Sequence, residues 1–133
     1  MATHASGLFL VKLSPQAPVE GVGDPGVGRL AIDKQFQGDL AATSKGEMLA
    51  LRTERGSAGY VAMERVTGTL SGREGSFALQ HSGTMDRGVP HLLVTVVPDS
   101  GTGELAGLAG VMAIEITDDA HSYRFEYSLP ETA

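Results

Sequence analysis

The chain has 133 residues, a length that suits one domain with a core of its own. Ten basic and sixteen acidic residues leave a net charge of −6, which repels phosphate backbones and argues against nucleic acid as a partner. No cysteine is present, which excludes disulfides, thiolate nucleophiles and sulfur-ligated metals.

Apolar and polar residues alternate along most of the chain, and no window of helical length carries a 3.6-residue stripe. This period of two predicts an all-β protein with no substantial helix. Eight runs are predicted as strands: Gly7–Leu13, Val27–Phe36, Leu40–Arg52, Gly59–Leu70, Ser76–Thr84, Pro90–Pro98, Gly110–Thr117 and His121–Leu129. Short turn-rich connections favour antiparallel neighbours, and eight such strands can close into a β-barrel. We therefore predict one barrel domain over residues 1–133, with its core at about 7–129.

One longer irregular segment interrupts this pattern at residues 14–28, which hold Pro15, Pro18, Pro25 and four glycines. It is predicted to be either a surface loop or a cover over one barrel mouth. Residues 130–133 are predicted to be a plain tail. No run approaches the roughly 18 apolar residues of a membrane span, and Met1–Ser6 lacks the basic region of a secretory signal. We expect no membrane partner and a cytoplasmic location.

A nine-residue phrase, Thr-Gly-x-Leu-x-Gly-x-x-Gly, occurs at residues 67–75 and again at 102–110. Each copy is predicted to be a corner between strands, where the leucine plugs the barrel end and glycines supply positive φ or close approach. We expect the two corners to fix strand registers on two sides of the barrel. Neither copy contains the Gly-x-Gly-x-x-Gly of a nucleotide site. The four histidines lack metal-ligand spacing, so neither metal nor cofactor is expected.

Side chains alternate between the two faces of a strand, so polar residues that share parity with apolar ones are predicted to point into the barrel. Lys34, Glu64 and His81 are such residues. Four aromatic residues are predicted to share the interior with them, namely Tyr60, Tyr123, Tyr127 and Phe125. The third strand is ambiguous, because either Glu47 or Met48 can belong to the inner face.

Two interpretations of these inward polar residues follow from the cost of burying charge, which is several kcal/mol for an unpaired group. In one, Lys34 and Glu64 form a structural ion pair and His81 bonds a backbone carbonyl. In the other, the three line a polar patch at the end of an apolar pocket, where Glu64 or His81 exchanges protons with a ligand.

Four segments of the chain are similar to domain-of-unknown-function family 3224, and the resemblance extends over about Gly7–Leu129. The segments are Phe36–Leu40, Tyr60–Leu70, Gly72–Thr84 and Val97–Leu108, and the block Glu64–Thr84 is the most specific. Members of that family are small, mostly bacterial proteins that resemble the barrel of plant allene oxide cyclase. The resemblance implies an eight-stranded antiparallel barrel of the calycin-like kind, often oligomeric, with no assigned activity.

Residues and resemblance together predict a binding module for a small, mainly apolar molecule held inside the barrel, in a homo-oligomer. The ligand-binding candidates are Lys34, Glu64, His81, Tyr60, Tyr123 and Phe125, and the catalytic candidates are Glu64 and His81. An isomerase or cyclase that uses the inward Glu64 in the same pocket is the enzyme alternative. By type, Glu64 is the closest counterpart of the inward glutamate of allene oxide cyclase. A solid barrel with a structural or oligomerisation role is the third hypothesis.

Overall fold

The computed structural model describes residues 3–130, which form eight strands and one short 3-10 turn. The strands are β1 (Thr3–Pro15), β2 (Gly28–Phe36), β3 (Leu40–Arg52), β4 (Ala58–Leu70), β5 (Arg73–Asp86), β6 (Val89–Val96), β7 (Ala109–Thr117) and β8 (Ala120–Ser128). The 3-10 turn covers Gly103–Leu105, between β6 and β7. The prediction of an all-β chain is confirmed, although β1 and β5 extend further at both ends than the alternation indicated.

The eight strands form a closed antiparallel barrel in which each strand pairs with the next and β8 pairs back with β1. Closure removes the free sheet edges that would otherwise attract other chains. Seven of the eight junctions are ladders of seven or more residue pairs. Among the described residues, the junction between β6 and β7 has a single pair, Thr95 with Val111, and we call it the seam.

The barrel is filled with side chains at one end, which we call the filled end. Here lie the β2–β3 and β4–β5 turns and the longer connection between β6 and β7. The packing is largely aromatic: the ring of Phe125 stacks on Phe77 and Tyr127, and Tyr123 meets the edge of Phe36. Aliphatic side chains complete the plug, namely Leu40, Leu70, Leu79, Leu105, Leu108 and Met112.

Both copies of the repeated phrase lie at the filled end, where their leucines, Leu70 and Leu105, are buried. The first copy turns β4 into β5, and the second carries the chain through the 3-10 turn into β7. Gly72 and Gly107, the same position in the two copies, have φ of 84° and 80°, a left-handed conformation that favours glycine. The two corners also touch each other, because the Glu104 carboxylate accepts a hydrogen bond from the Glu74 backbone N–H.

The irregular connection between β1 and β2 covers residues 16–27, since residues 14 and 15 belong to β1 and Gly28 to β2. Every residue of this connection is exposed. Of the predicted tail, only Pro130 is described, and the rest lies outside the described residues. Within residues 3–130, the structure contains no helix of the length and apolarity that crossing a membrane requires.

Leu105 tests whether the filled end stabilises the barrel, because its side chain is only 1% exposed and comes from a connection, not from a strand. Leu105→Ala is expected to lower the free energy of unfolding by about 2–5 kcal/mol through the lost burial and the cavity left behind. The matched control is Leu10→Ala on the exposed outer face of β1, which should change it by less than about 0.5 kcal/mol. Urea unfolding measures the free energy of unfolding of both variants. Equal losses in the two would contradict a stabilising role for the filled end.

Candidate functional site

The other end of the barrel, which we call the open end, contains a cavity of about 440 Å³. All eight strands contribute to its lining, and its walls are mostly apolar. They include Val11, Leu13, Ile32, Met48, Leu92 and Ile114. Eight-stranded barrels are just wide enough either to be filled by side chains or to hold one small ligand. In this barrel, side chains occupy the interior at the filled end, and a ligand-sized cavity remains at the open end.

Four polar side chains meet between the filled end and the cavity, and we call Lys34, Ser44, Glu64 and His81 the polar cluster. The carboxylate of Glu64 is its centre and is only 2% exposed. Glu64 Oε2 accepts a hydrogen bond of 2.8 Å from Lys34 Nζ and one of 2.6 Å from His81 Nε2. Its other oxygen, Oε1, accepts one of 2.7 Å from Ser44 Oγ. Each carboxylate oxygen is therefore satisfied without water.

The cluster forms because four neighbouring strands, β2 to β5, each place one inward residue at the same level along the barrel axis. Lys34 on β2 lies opposite Ser44 on β3. Glu64 on β4 lies opposite Gly46, two residues further along β3, and His81 on β5 lies opposite Ala62, two residues before Glu64. The four residues thus step diagonally from one strand to the next. Because barrel strands are tilted to the barrel axis, these stepped positions lie at one level along that axis. Diagonal neighbours on a sheet lie within reach of long side chains.

Burial alone raises the pKa of Glu64, but the hydrogen bond from His81 and the charge and hydrogen bond of Lys34 outweigh it. The pKa of Glu64 consequently falls from the ordinary value of 4.5 to about 2. At neutral pH the group is a carboxylate whose proton affinity is low. Glu64 is therefore suited to hold Lys34 and His81 in place and poorly suited to give or take a proton.

Lys34 and His81 are the members of the cluster that line the cavity floor. Beyond its bond to Glu64, the Lys34 ammonium lies 5.0 Å from the ring centroid of Phe9 and 5.8 Å from that of Phe36, in cation–π range. His81 is 4% exposed, and its Nδ1 makes no hydrogen bond to any described residue. Within the described residues, every fully buried polar side-chain atom has a hydrogen-bond partner. Because Nδ1 has no such partner, it is not fully buried, and it is open to the cavity that His81 lines.

Tyr60 adds a phenol to the cavity wall beside His81, with 6.4 Å between the two ring centroids. Its ring lies over Gly83, where an added Cβ would clash with a carbon of that ring. Gly83 therefore gives Tyr60 the room to lie flat in the wall. Burial, and then the negative charge of Glu64, raise the pKa of Tyr60, so the phenol stays neutral.

The structure brings four of the six predicted ligand-binding residues together, namely Lys34, Glu64, His81 and Tyr60. Tyr123 and Phe125 lie at the filled end, away from the cavity lining. There the Tyr123 hydroxyl accepts a hydrogen bond from the Leu40 N–H and donates to the Gln37 carbonyl. The predicted ion pair of Lys34 with Glu64 is present, whereas His81 bonds that carboxylate and not a backbone carbonyl.

Ser44 is the member of the polar cluster that the alternation did not identify. It lies on β3, the strand whose inner face the alternation left ambiguous. The structure resolves this ambiguity, because Ser44 and Met48 face inward, whereas Glu47 is exposed and forms an ion pair with Arg29. Ile116 shares its parity with Met112 and Ile114, and this pattern predicts a core position, but Ile116 is 67% exposed at the cavity mouth. Within the described residues, no group of acidic and histidine side chains is arranged to hold a metal ion.

Comparisons with known proteins agree with this architecture and carry no activity. A family model described as a protein of unknown function (DUF3224) matches residues 5–127. The chain is similar to a crystal structure of a protein with unknown function from the DUF3224 family of Shewanella oneidensis MR-1. The two share 49% sequence identity over 99% of this chain and 100% of the other, with a TM-score of 0.90. A search of the curated proteins finds no match.

The lowered pKa of Glu64 makes stability depend on acid pH. A carboxyl group with a depressed pKa in the folded state stabilises the fold above its unfolded value of about 4.5, and this stabilisation is lost as the pH falls toward about 2. Over this window the difference in unfolding free energy between wild type and Glu64→Gln should shrink by about 3 kcal/mol. Urea unfolding from pH 7 to pH 2 measures this difference. A difference that stays constant over this pH range would contradict the lowered pKa of Glu64. Should Glu64→Gln not fold, Lys34→Met/Glu64→Gln replaces it, since that pair leaves no unpaired charge.

The contribution of Ser44 can be isolated with a smaller change. Ser44→Ala removes one of the three donors to Glu64 while keeping the volume nearly constant, and should cost about 1–2 kcal/mol of unfolding free energy at pH 7. Ser82→Ala, on the exposed face of β5, is the matched control and should have little effect. A loss as small as the control's would show that the carboxylate does not depend on Ser44.

Proposed function

This chain belongs to the DUF3224 family, a family of unknown function, and we propose that it is a small-molecule binding protein. In this proposal one small, mainly apolar molecule occupies the barrel interior at the open end. The observation that carries it is the cavity itself: about 440 Å³ with apolar walls that end on two buried polar side chains, Lys34 and His81.

Size and polarity support this proposal. With about 30 Å³ for each water-sized group, a cavity of 440 Å³ accommodates on the order of fifteen non-hydrogen atoms. Apolar walls stabilise a bound apolar molecule by removing its surface from water, at about 25 cal/mol per Å². A few polar groups at one point of such a cavity fix the orientation of the ligand. Lys34 and His81 supply that point, and Glu64 and Ser44 hold them from below.

The enzyme alternative, an isomerase or cyclase that uses Glu64 as acid or base, has less support. Glu64 lies beneath the floor, its side chain is fully buried, and its carboxylate is engaged by three donors. A pKa of about 2 leaves it without a proton to donate at neutral pH and with little affinity for one. The likeness to the barrel of allene oxide cyclase stays a prediction from the sequence resemblance.

The proposal is tested by filling the cavity. Ala62 lies buried in the floor, on the inner face of β4, so Ala62→Phe should occupy the space that a ligand needs. The uncharged fluorophore N-phenyl-1-naphthylamine should bind wild type at one molecule per chain, with enhanced fluorescence, and should bind Ala62→Phe at least about tenfold more weakly.

The matched control is Val61→Phe, at the next residue of β4, whose side chain is exposed on the outer face. This variant adds the same ring outside the barrel and should bind the fluorophore as wild type does. Circular dichroism and urea unfolding establish that both variants fold. Equal affinity of Ala62→Phe and wild type, or no binding by wild type, would contradict the proposal.

A further inference from the structure

We propose that the cavity floor selects an uncharged hydroxyl group, so that the ligand is a small apolar alcohol or phenol. This inference rests on the proposed binding function and adds the chemical class of the ligand. It follows from the charge balance of the polar cluster and from the hydrogen-bonding capacity that the cluster leaves unused on the cavity side.

With a neutral His81 ring, the charge of the floor is already balanced. The Lys34 ammonium is paired with the Glu64 carboxylate at 2.8 Å, and both side chains are almost fully buried. Arg52, the other cation among the described residues that line the cavity, is exposed at the mouth and solvated. An anionic head group at the floor would therefore be buried without a counter-charge of its own, at a cost of several kcal/mol.

The floor offers one donor and one acceptor. Lys34 has three N–H groups, of which Glu64 takes one, so the ammonium can still donate. His81 donates from Nε2 to the carboxylate, and in the neutral ring this leaves Nδ1 as an acceptor that is open to the cavity. The donor and the acceptor lie on different sides of the His81 ring, because Lys34 Nζ shares Glu64 Oε2 with Nε2, whereas Nδ1 points away from Nε2.

A hydroxyl satisfies Nδ1, because its O–H donates a hydrogen bond to that nitrogen. An ether or a ketone can only accept, so it would leave Nδ1 without a partner in a site from which the ligand has removed water. A carboxylate has no hydrogen for Nδ1 and adds the uncompensated charge. Sites built to bond a hydroxyl discriminate strongly against analogues that lack it, because their own polar groups are then left unpaired.

The inference is tested with three probes of one chain length that displace N-phenyl-1-naphthylamine at pH 8, where decanoate is ionised. The probes are 1-decanol, decyl methyl ether and decanoate. We expect 1-decanol to bind wild type most tightly, about five- to tenfold better than the ether, with decanoate the weakest.

Two variants separate the roles of donor and acceptor. His81→Phe should weaken 1-decanol to the level of the ether and leave the ether unchanged, since only the alcohol uses Nδ1. Lys34→Met leaves His81 and Ser44 bonded to Glu64 and should keep the preference for 1-decanol over the ether, so loss of that preference in this variant would overturn the inference even if His81→Phe does not fold. Gln80→Phe, one residue from His81 on the exposed face, is the matched control and should behave as wild type.

Each result has one meaning. Tightest binding of 1-decanol, with a preference over the ether that His81→Phe removes, supports the inference. Tightest binding of decanoate, or equal binding of all three probes, overturns it and leaves the binding function intact. Failure of wild type to bind the fluorophore and all three probes overturns the binding function, and the inference with it.

Discussion

The buried carboxylate of Glu64 is the interaction on which the rest of the site depends. It joins four consecutive strands from inside the barrel, through Lys34 on β2, Ser44 on β3 and His81 on β5. A single carboxylate buried without partners would be prohibitively costly, and with three donors it becomes an anion of low proton affinity. Its position therefore also fixes where the filled end stops and where the cavity begins.

A cluster of this kind is not needed for packing. Apolar residues of similar volume commonly replace a buried ion pair with no loss of stability. The filled end illustrates this, since the rings of Phe77 and Phe125 stack there and stabilise it by dispersion and burial. What the polar cluster adds is a pair of unsaturated polar groups, on Lys34 and His81, at the bottom of an apolar cavity. Under the proposed function, these two groups serve to recognise the ligand.

Much of the fold and part of the site could be predicted from the sequence, because alternation reports which face of a strand is buried. It identified the eight strands and the inward orientation of Lys34, Glu64 and His81. It failed for Ser44, because Leu49 and Leu51 on the outer face of β3 are as apolar as the inner residues. It also grouped Tyr123 with the site, because parity gives the face of a side chain but not its height along the barrel axis. Height depends on strand tilt and register, which arise only when all eight strands close.

The seam between β6 and β7 has a consequence for the dynamics of the barrel. Beyond the pair of Thr95 and Val111, the backbone groups of these two strands do not form a ladder with each other, whereas every other junction is fully laddered. Parting the wall here breaks few hydrogen bonds, so local opening at the seam costs far less free energy than global unfolding. Leu92 and Ile114 line the cavity from these two strands. If the interior holds a ligand as proposed, the seam is the part of the wall where that ligand can pass at the smallest cost in hydrogen bonds, while the filled end stays folded.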